Sequence, residues 1–351
     1  MTVHAVLPDG VDDPARPSGG NVYDRHVCRG LSALGWAVHE HAVHGFWDRP
    51  DATAFAGLAG VLKEIPDGAV VLLDGLVAST APEVLVPQAR RLRLVVLVHM
   101  PLGDRPRHDD ARTLEGMVLS AAAAVVSTSA WAKSRLVELY ALPPDRVHVA
   151  PPAVDAAELA SGTATGGALL CVAAVTFDKG HDVLLDALTT ISDQAWSCVC
   201  VGRLDRDRAF VDSVRRRSMN GGLVDRVQFP GPRSGAELDR SYAAADVMVL
   251  PSRAETYGMV VVEALARGLP VIAADVGGLT EALGHGAGGI RPGLLVPPDD
   301  ARALAAALRS WLVDVQLRAR LRRAALERRE SLPDWSSTTS VLAAVLAGAS
   351  R

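Results

Sequence analysis

The sequence predicts an α/β protein of two parallel-sheet domains, and three observations carry that expectation. Apolar runs of strand length recur with helical stretches between them, the pattern of βαβ units whose sheets are covered on both faces. The chain has 351 residues, 49% of them apolar, enough for two domains that each bury a core. A stretch rich in proline, glycine and small polar residues, from "PPAVD" to "SGTATGG" over 152–166, separates two sets of strands. The domains are therefore placed at 1–152 and 166–332, with a last helix over 334–351.

In the first domain "VHAVLP", "AVVLLDG" and "RLVVLVHM" read as buried strands, continuous apolar runs of the kind a parallel sheet requires. In the second, "ALLCVAAV", "SCVCVG", "RVQFPG", "DVMVLPS" and "PVIAAD" repeat the pattern. From Asp300 to Arg329 the chain is rich in Ala, Leu and Arg at helical spacing, and Pro333 stops it before "WSSTTSVLAAVLAG". The arginines from Arg318 to Arg329 read as a solvated helix face in preference to a surface for anionic lipid, so peripheral membrane contact has no further support.

Composition excludes several classes of function. A net charge of -4 on 36 basic and 40 acidic residues provides no broad positive footprint, so nucleic acid is not expected as a partner. The N-terminal "MTVHAVLPDG" lacks the basic region and apolar length of a signal peptide, and "AAAAVV" is too short to span a bilayer. A cytoplasmic protein is expected. Its four cysteines, Cys28, Cys171, Cys198 and Cys200, fit a reducing compartment as small buried hydrophobes.

The stretch "PSRAETYGMVVVEALARGLPVIAADVGG", Pro251 to Gly278, carries the chemistry. Asp246 to Ser252 reads as a strand, and "TYGMVVVEALARG" as a helix ended by Gly268, ahead of Pro270 and the next strand. The loop between them lies at the carboxyl end of a parallel strand, where open sheets bind ligands. Unpaired backbone N–H groups around Tyr257, Gly258, Met259 and Val260 then make a site for phosphate, with Gly258 admitting an anion closely. Glu255 and Glu263 are eight positions apart, roughly 12 Å along a wholly helical path. A retaining glycosidase pair stands about 5 Å apart, so the two do not read as one. A nucleoside diphosphate sugar fits better: phosphates on the helix start, one hydroxylated end at Glu255, the other at Glu263.

The E-x7-E spacing in this setting resembles the signature of the retaining glycosyltransferases of family four, which have the GT-B fold of two Rossmann-like domains facing each other across a cleft. The resemblance covers nearly the whole chain. "PSGGNVYDRHVCRGLSALGWAVHEH" matches the glycine turn before the first helix, with Gly19 and Gly20, and "VAAVTFDKGHDVLLDAL" matches the "KG" loop of the second domain. "VVSTSAWAKSRLVELYALPPDRVHVAPPAVD" is similar to the segment that closes the first domain. The resemblance implies that Glu263 binds the ribose hydroxyls, that Glu255 and the backbone after it hold the donor sugar, and that Lys179 pairs with the diphosphate. It implies that Gly20 lets backbone N–H groups close on the phosphates and that His99 contacts the sugar near the reaction centre. On this reading the first domain binds the acceptor, the second binds the donor, and the helix over 334–351 packs back on the first. No cofactor and no metal is implied. Family members place an arginine five residues before the lysine; Ala174 stands here, leaving Thr176 or Arg203 to supply the contact. Asp24, in the helix of the glycine turn, is a candidate to aid the acceptor, and "HMPLGDRPRHDD" is a loop that would select it.

The function expected is transfer of a hexose, with retention, from a nucleotide diphosphate sugar to a hydroxyl of a small or lipid-linked acceptor. The alternatives are a GT-B epimerase or phosphorylase, and a nucleotide-sugar-binding homologue without activity. Other signals are weaker. "GHGAGG", Gly284 to Gly289, has dinucleotide-binding glycine spacing but follows a helical run, so it reads as a turn. "DRD" at Asp205 to Asp207 reads as a solvated loop in preference to a Mg²⁺ site, and His39, His41 and His44 as strand histidines in preference to zinc ligands.

Overall fold

The computed structural model describes residues 1–13, 18–104 and 110–350. Part of the "HMPLGDRPRHDD" loop, 105–109, and residues 14–17 ahead of the glycine turn lie outside them. One compact unit comprises Met1–Asp13, Ser18–Pro152 and the C-terminal segment from Pro333; the other includes Ala153–Leu332.

The first unit is built on six parallel strands: β1 (Thr2–Pro8), β2 (Ala37–Val43), β3 (Val70–Asp74), β4 (Arg93–Val98), β5 (Ala124–Ser127) and β6 (Val147–Val149), in the spatial order β2-β1-β3-β4-β5-β6. The chain passes from β1 outward to β2, then returns to place β3 on the other side of β1. The carboxyl ends of β1 and β3 thus flank a topological switch point, with β4 next in line. Central β3 is buried along its whole length, whereas the edge strand β2, "AVHEHAV", alternates charge and histidine with small residues and is mostly exposed. Leu58, Leu62, Val71, Leu73 and Val96 form the core on one sheet face, and Tyr23, Val27, Leu72, Val95, Leu342 and Leu346 the core on the other. The C-terminal helix Trp335–Ala349 therefore covers the same face as the helix Gly19–Ala33. Trp335 stacks on His26 with ring centroids 4.2 Å apart, and Thr338 Oγ1 donates to the Pro151 carbonyl at 2.7 Å.

The second unit holds β7 (Ala168–Val172), β8 (Ser197–Val201), β9 (Val227–Gly231), β10 (Val247–Leu250), β11 (Val271–Ala274) and β12 (Gly293–Val296), all parallel, in the order β12-β11-β10-β7-β8-β9. Its switch point lies between β7 and β10. Leu184, Leu188, Cys198, Cys200, Leu304 and Trp311 fill one face, and Met248, Leu250, Val261, Leu265 and Ala325 the other.

Several sequence expectations are corrected. The strand placed at Asp246–Ser252 is confined to Val247–Leu250, and the helix after it begins only at Met259 and ends at Ala266. The run from Asp300 to Arg329 is two helices, Ala301–Val313 and Val315–Arg329, because Asp314 accepts from Leu317 N at 2.9 Å and caps a new start. The second helix is not a uniformly solvated basic face: Arg318 donates to the Trp311 and Leu312 carbonyls, Arg322 to Asp246, Arg328 to Ser331 and Arg329 to the Ala157 carbonyl. All four cysteines are buried and free. Among the described residues, no helix is long and apolar enough to cross a membrane.

Candidate active site

Each unit gathers polar side chains at its switch point. In the second unit the loop after β7 delivers Lys179 and the loop after β10 delivers Glu255, and Lys179 Nζ donates to Glu255 Oε1 at 2.5 Å. Ser252 Oγ donates to the same carboxylate oxygen at 3.1 Å. The side chains keep 28% and 12% of their exposure, so the pair is reachable from solvent. What brings these loops together is glycine. Gly180 has φ +66°, and a Cβ there would sit 2.0 Å from the Pro251 carbonyl oxygen; Gly277 has φ +56°, and its Cβ would sit 1.7 Å from the Glu255 carbonyl oxygen. Backbone therefore packs on backbone on both sides of the Glu255 loop, and Gly278 N donates to Glu255 O at 3.1 Å.

The helix Met259–Ala266 starts beside this pair, with Gly258 as its N-cap at φ +92° and no side chain capping it. The first N–H groups of any helix lack carbonyls in the preceding turn, which leaves Met259 and Val260 as the donors a bound anion would meet. Tyr257 falls outside the helix. Its side chain is buried in the core, where burial pushes its hydroxyl up to about 12, so its backbone alone remains for a ligand. Glu263, one turn into the helix, accepts from Tyr242 Oη at 2.7 Å. Burial raises its pKa against the opposing effect of that hydrogen bond. Tyr242 is a partner the sequence reading missed.

Of the two residues expected to replace the missing arginine, Arg203 is committed elsewhere and Thr176 supplies no charge. Arg203 forms a two-pronged pair with Asp205, both contacts at 2.9 Å, and Thr176 lies at the start of the turn that presents Lys179, whose N–H donates to the Thr176 carbonyl at 3.0 Å. Arg253, in the Glu255 loop, holds Asp182 through two 2.9 Å contacts and Asp299 through one of 2.5 Å, an anchor for the loop. Asp205 and Asp207 of "DRD" do not converge on a shared site: the first pairs with Arg203 and the second caps the helix Arg208–Asn220 through Phe210 N. "GHGAGG" closes into a turn, with Gly289 N donating to the Gly286 carbonyl at 2.9 Å.

In the first unit His99, just past β4, meets Asp24 from the helix Gly19–Ala33 and Asp74 from the end of β3. His99 Nε2 lies 2.8 Å from Asp24 Oδ1 and 3.5 Å from Asp74 Oδ2. Gly20 leaves room for the ring: a Cβ there would stand 3.1 Å from His99 Cδ2, while Gly19 opens the same helix one residue earlier. The carboxylates are almost sealed, at 1% and 6% exposure against 21% for the imidazole. Burial, then the neighbouring Asp24 charge, push Asp74 up to about 7. Burial opposes charge on His99, but Asp24 and then Asp74 outweigh it and hold its pKa above the ordinary histidine value. Asp24 is thus tied to His99. Asp74 was missed, though an acid that closes an apolar strand, as in "AVVLLDG", was the signal available. His39 and His41 line up with His4 on the sheet, His4 Nδ1 to His41 Nε2 at 3.0 Å. Among the described residues only Asp24, Asp74 and His99 bring three groups of metal-binding type within 4.8 Å of one another.

Two doubly wound parallel-sheet units with a switch-point cluster in each define a protein of GT-B fold. A model of group 1 glycosyl transferases matches residues 164–328, and a model of glycosyltransferase family 4 matches residues 17–158. The D-inositol 3-phosphate glycosyltransferase of Jonesia denitrificans is 34% identical over 263 residues, 69% of this chain and 61% of that protein. D-inositol 3-phosphate glycosyltransferase 1 of Catenulispora acidiphila is 31% identical over 291 residues, 78% of this chain and 68% of that one. The chain belongs to glycosyltransferase family 4. It spans 61% of the length of the Jonesia relative, and 59% and 56% of the D-inositol 3-phosphate glycosyltransferases of Kineococcus radiotolerans and Nocardia farcinica. Among solved structures, sucrose-phosphate synthase from Thermosynechococcus elongatus superposes with a TM-score of 0.82 at 22% identity, over 99% of this chain and 98% of that one. Anabaena Alr3699/HepE in complex with UDP and glucose gives 0.78 at 19% identity, over 99% of each chain. At those identities the likeness is one of fold.

Proposed function

We propose that the protein is a retaining hexosyltransferase that takes a nucleotide diphosphate sugar as donor and a hydroxyl of a small-molecule or lipid-linked acceptor, without a metal ion. The observation that carries the reading is the Lys179–Glu255 pair at the β7/β10 switch point, beside the open start of the helix Met259–Ala266. A cation and a row of backbone donors suit a diphosphate, and a carboxylate beside them suits sugar hydroxyls. The complex of Anabaena HepE with UDP-glucose supports this choice of donor, and the relatives named D-inositol 3-phosphate glycosyltransferase put phosphorylated cyclitols first among acceptors to try.

In the reaction proposed, the acceptor oxygen bonds to the anomeric carbon on the face from which the diphosphate departs. The anomeric carbon–oxygen bond to phosphate breaks, and the acceptor proton passes to a phosphate oxygen of the leaving group. Lys179 and the helix start stabilise the charge that develops on that group, and Glu255 fixes the sugar.

A panel of nucleotide sugars, each followed for slow hydrolysis and for transfer to added acceptors, tests the reading. The expected result is turnover of one donor, a product that keeps the donor's anomeric configuration, and activity that survives EDTA. An inverted product would overturn retention, loss in EDTA restored by Mg²⁺ or Mn²⁺ would overturn metal independence, and nucleotide binding without turnover would leave a binding protein.

A further inference from the structure

The cluster in the first unit has an unusual inventory of charge. Two carboxyls and one imidazole meet where almost no water reaches. Asp24 Oδ1 faces His99 Nε2, but Asp24 Oδ2 is buried with no hydrogen-bond partner. Asp74 Oδ1 is occupied, accepting from Leu76 N at 2.8 Å and Val77 N at 3.3 Å. The 3.5 Å between His99 Nε2 and Asp74 Oδ2 is too long for a good hydrogen bond. An orphaned carboxylate oxygen beside a second carboxyl is satisfied most simply by a proton on that second carboxyl, and like-charged carboxylates sharing a dry site retain one.

We propose that Asp74 is a positioning residue: it and Asp24 hold one proton between them, and the hydrogen-bonded pair, with a single negative charge, keeps His99 an imidazolium. With Nε2 turned to Asp24, His99 then presents Nδ1–H to a ligand, as a donor to oxygen and not as a base. The charges balance as one imidazolium, one carboxylate and one carboxylic acid. Among the described residues, the other titratable group set against the ring is Tyr23, edge-on at 5.3 Å, whose hydroxyl donates to the Ala150 carbonyl. Burial raises the Asp74 pKa to about 7, which agrees with a proton kept near neutral pH. For the sugar transfer the inference rests on the reading above that His99 meets a ligand; the proton inventory itself does not.

The test is an NMR titration of the His99 ring in the full chain, assigned by comparison with His99→Gln. Wild type should titrate above the ordinary histidine value in two coupled steps. Asp74→Asn keeps an acceptor for Leu76 N and a donor for Asp24, yet removes the second acid. Its curve should become a single step displaced downward by about one pH unit, about tenfold less imidazolium on the alkaline side. Asp24→Asn should displace it further. In the transfer assay the kcat/KM of Asp74→Asn should fall more at pH 8 than at pH 6. A His99 curve that is the same in wild type and Asp74→Asn would overturn the proposal, whatever the assay reports. So would stoichiometric binding of Zn²⁺ or Mn²⁺ by calorimetry that Asp24→Asn abolishes, since the carboxyls would then await a cation and not share a proton. If no donor turns over, the titration still decides the inference and the failure falls on the proposed function alone.

Discussion

The ion pair between Lys179 and Glu255 makes the donor-side chemistry conditional, because a diphosphate must draw Lys179 away from a carboxylate that already holds it at 2.5 Å. Lys179→Ala is expected to weaken UDP binding by roughly 1.5–3 kcal/mol, the size of a charge-assisted contact. Arg203 and Arg253, the nearby arginines among the described residues, are bound to aspartates, so neither is expected to compensate, and an unchanged calorimetric affinity would show that one of them lets go. Glu255→Gln has the opposite sign for the free diphosphate. It should tighten UDP by releasing Lys179 while lowering kcat with the sugar donor, and a variant that loses both would refute the division of labour between phosphate and sugar. Glu263→Gln should chiefly raise KM, since its place one turn into the helix suits binding that is uniform in ground and transition states. At this scale the residues on one contiguous motif were legible. Asp74 and Tyr242 were not, because the fold and not sequence spacing sets them beside His99 and Glu263: β3 lies between β1 and β4, and Tyr242 lies in the last turn of the helix Gly235–Ala243, 21 residues before Glu263.

Loops, not strands, decide whether Lys179 and Glu255 meet. Gly180 and Gly277 admit carbonyl oxygens into space a Cβ would fill, so the turns after β7, β10 and β11 form one backbone-packed layer. Gly277→Ala should destabilise the second unit by about 3 kcal/mol, the upper range for a single substitution, and weaken UDP binding with it. Gly222→Ala is the control: its φ is +67° but nothing lies within 4 Å of the added Cβ, so only the left-handed backbone cost of about 1–2 kcal/mol applies. Equal falls in the two variants, read from urea midpoints, would show that the close approach contributes nothing. The diglycine of "ADVGG" and the glycine of "KG" were visible as parts of a pattern, but their physical reason required the neighbouring loop. The long apolar strands were legible from continuous hydrophobicity. β5, β6 and β12, of four, three and four residues, lack the longer apolar run that flags β10 and β11 in the sequence, and sheet pairing reveals them.

Over the whole chain, the two units differ in how they depend on pH and on the C-terminus. Asp74 and His99 both hold protons more tightly in the folded first unit than in the unfolded chain. From about pH 4 to pH 7 the folded unit keeps a proton that unfolded Asp74 has released, and above the ordinary histidine value His99 adds to the same effect. The stability of that unit should therefore fall as pH rises through this window, and Asp74→Asn should flatten its lower part in urea unfolding.

Chain order adds a further consequence at this scale, since the first unit is completed by residues that follow the second. Leu342, Val345 and Leu346 of the C-terminal helix are buried in its core, each worth about 1.5–3 kcal/mol of burial, a sum comparable with the whole stability of a domain. The second unit owns both of its cores and carries Lys179, Glu255 and Glu263 within Ala153–Leu332. A chain cut after Leu332 should lose the cooperative unfolding transition of the first unit and keep that of the second. Residues 153–332 alone should fold and bind UDP within about tenfold of the full chain, a difference of no more than about 1.4 kcal/mol. Calorimetric unfolding and UDP titration of both pieces check this. Two intact transitions in the chain cut after Leu332 would show that the last helix is dispensable. A folded 153–332 fragment that does not bind UDP would place part of the nucleotide's binding energy outside the β7/β10 switch point.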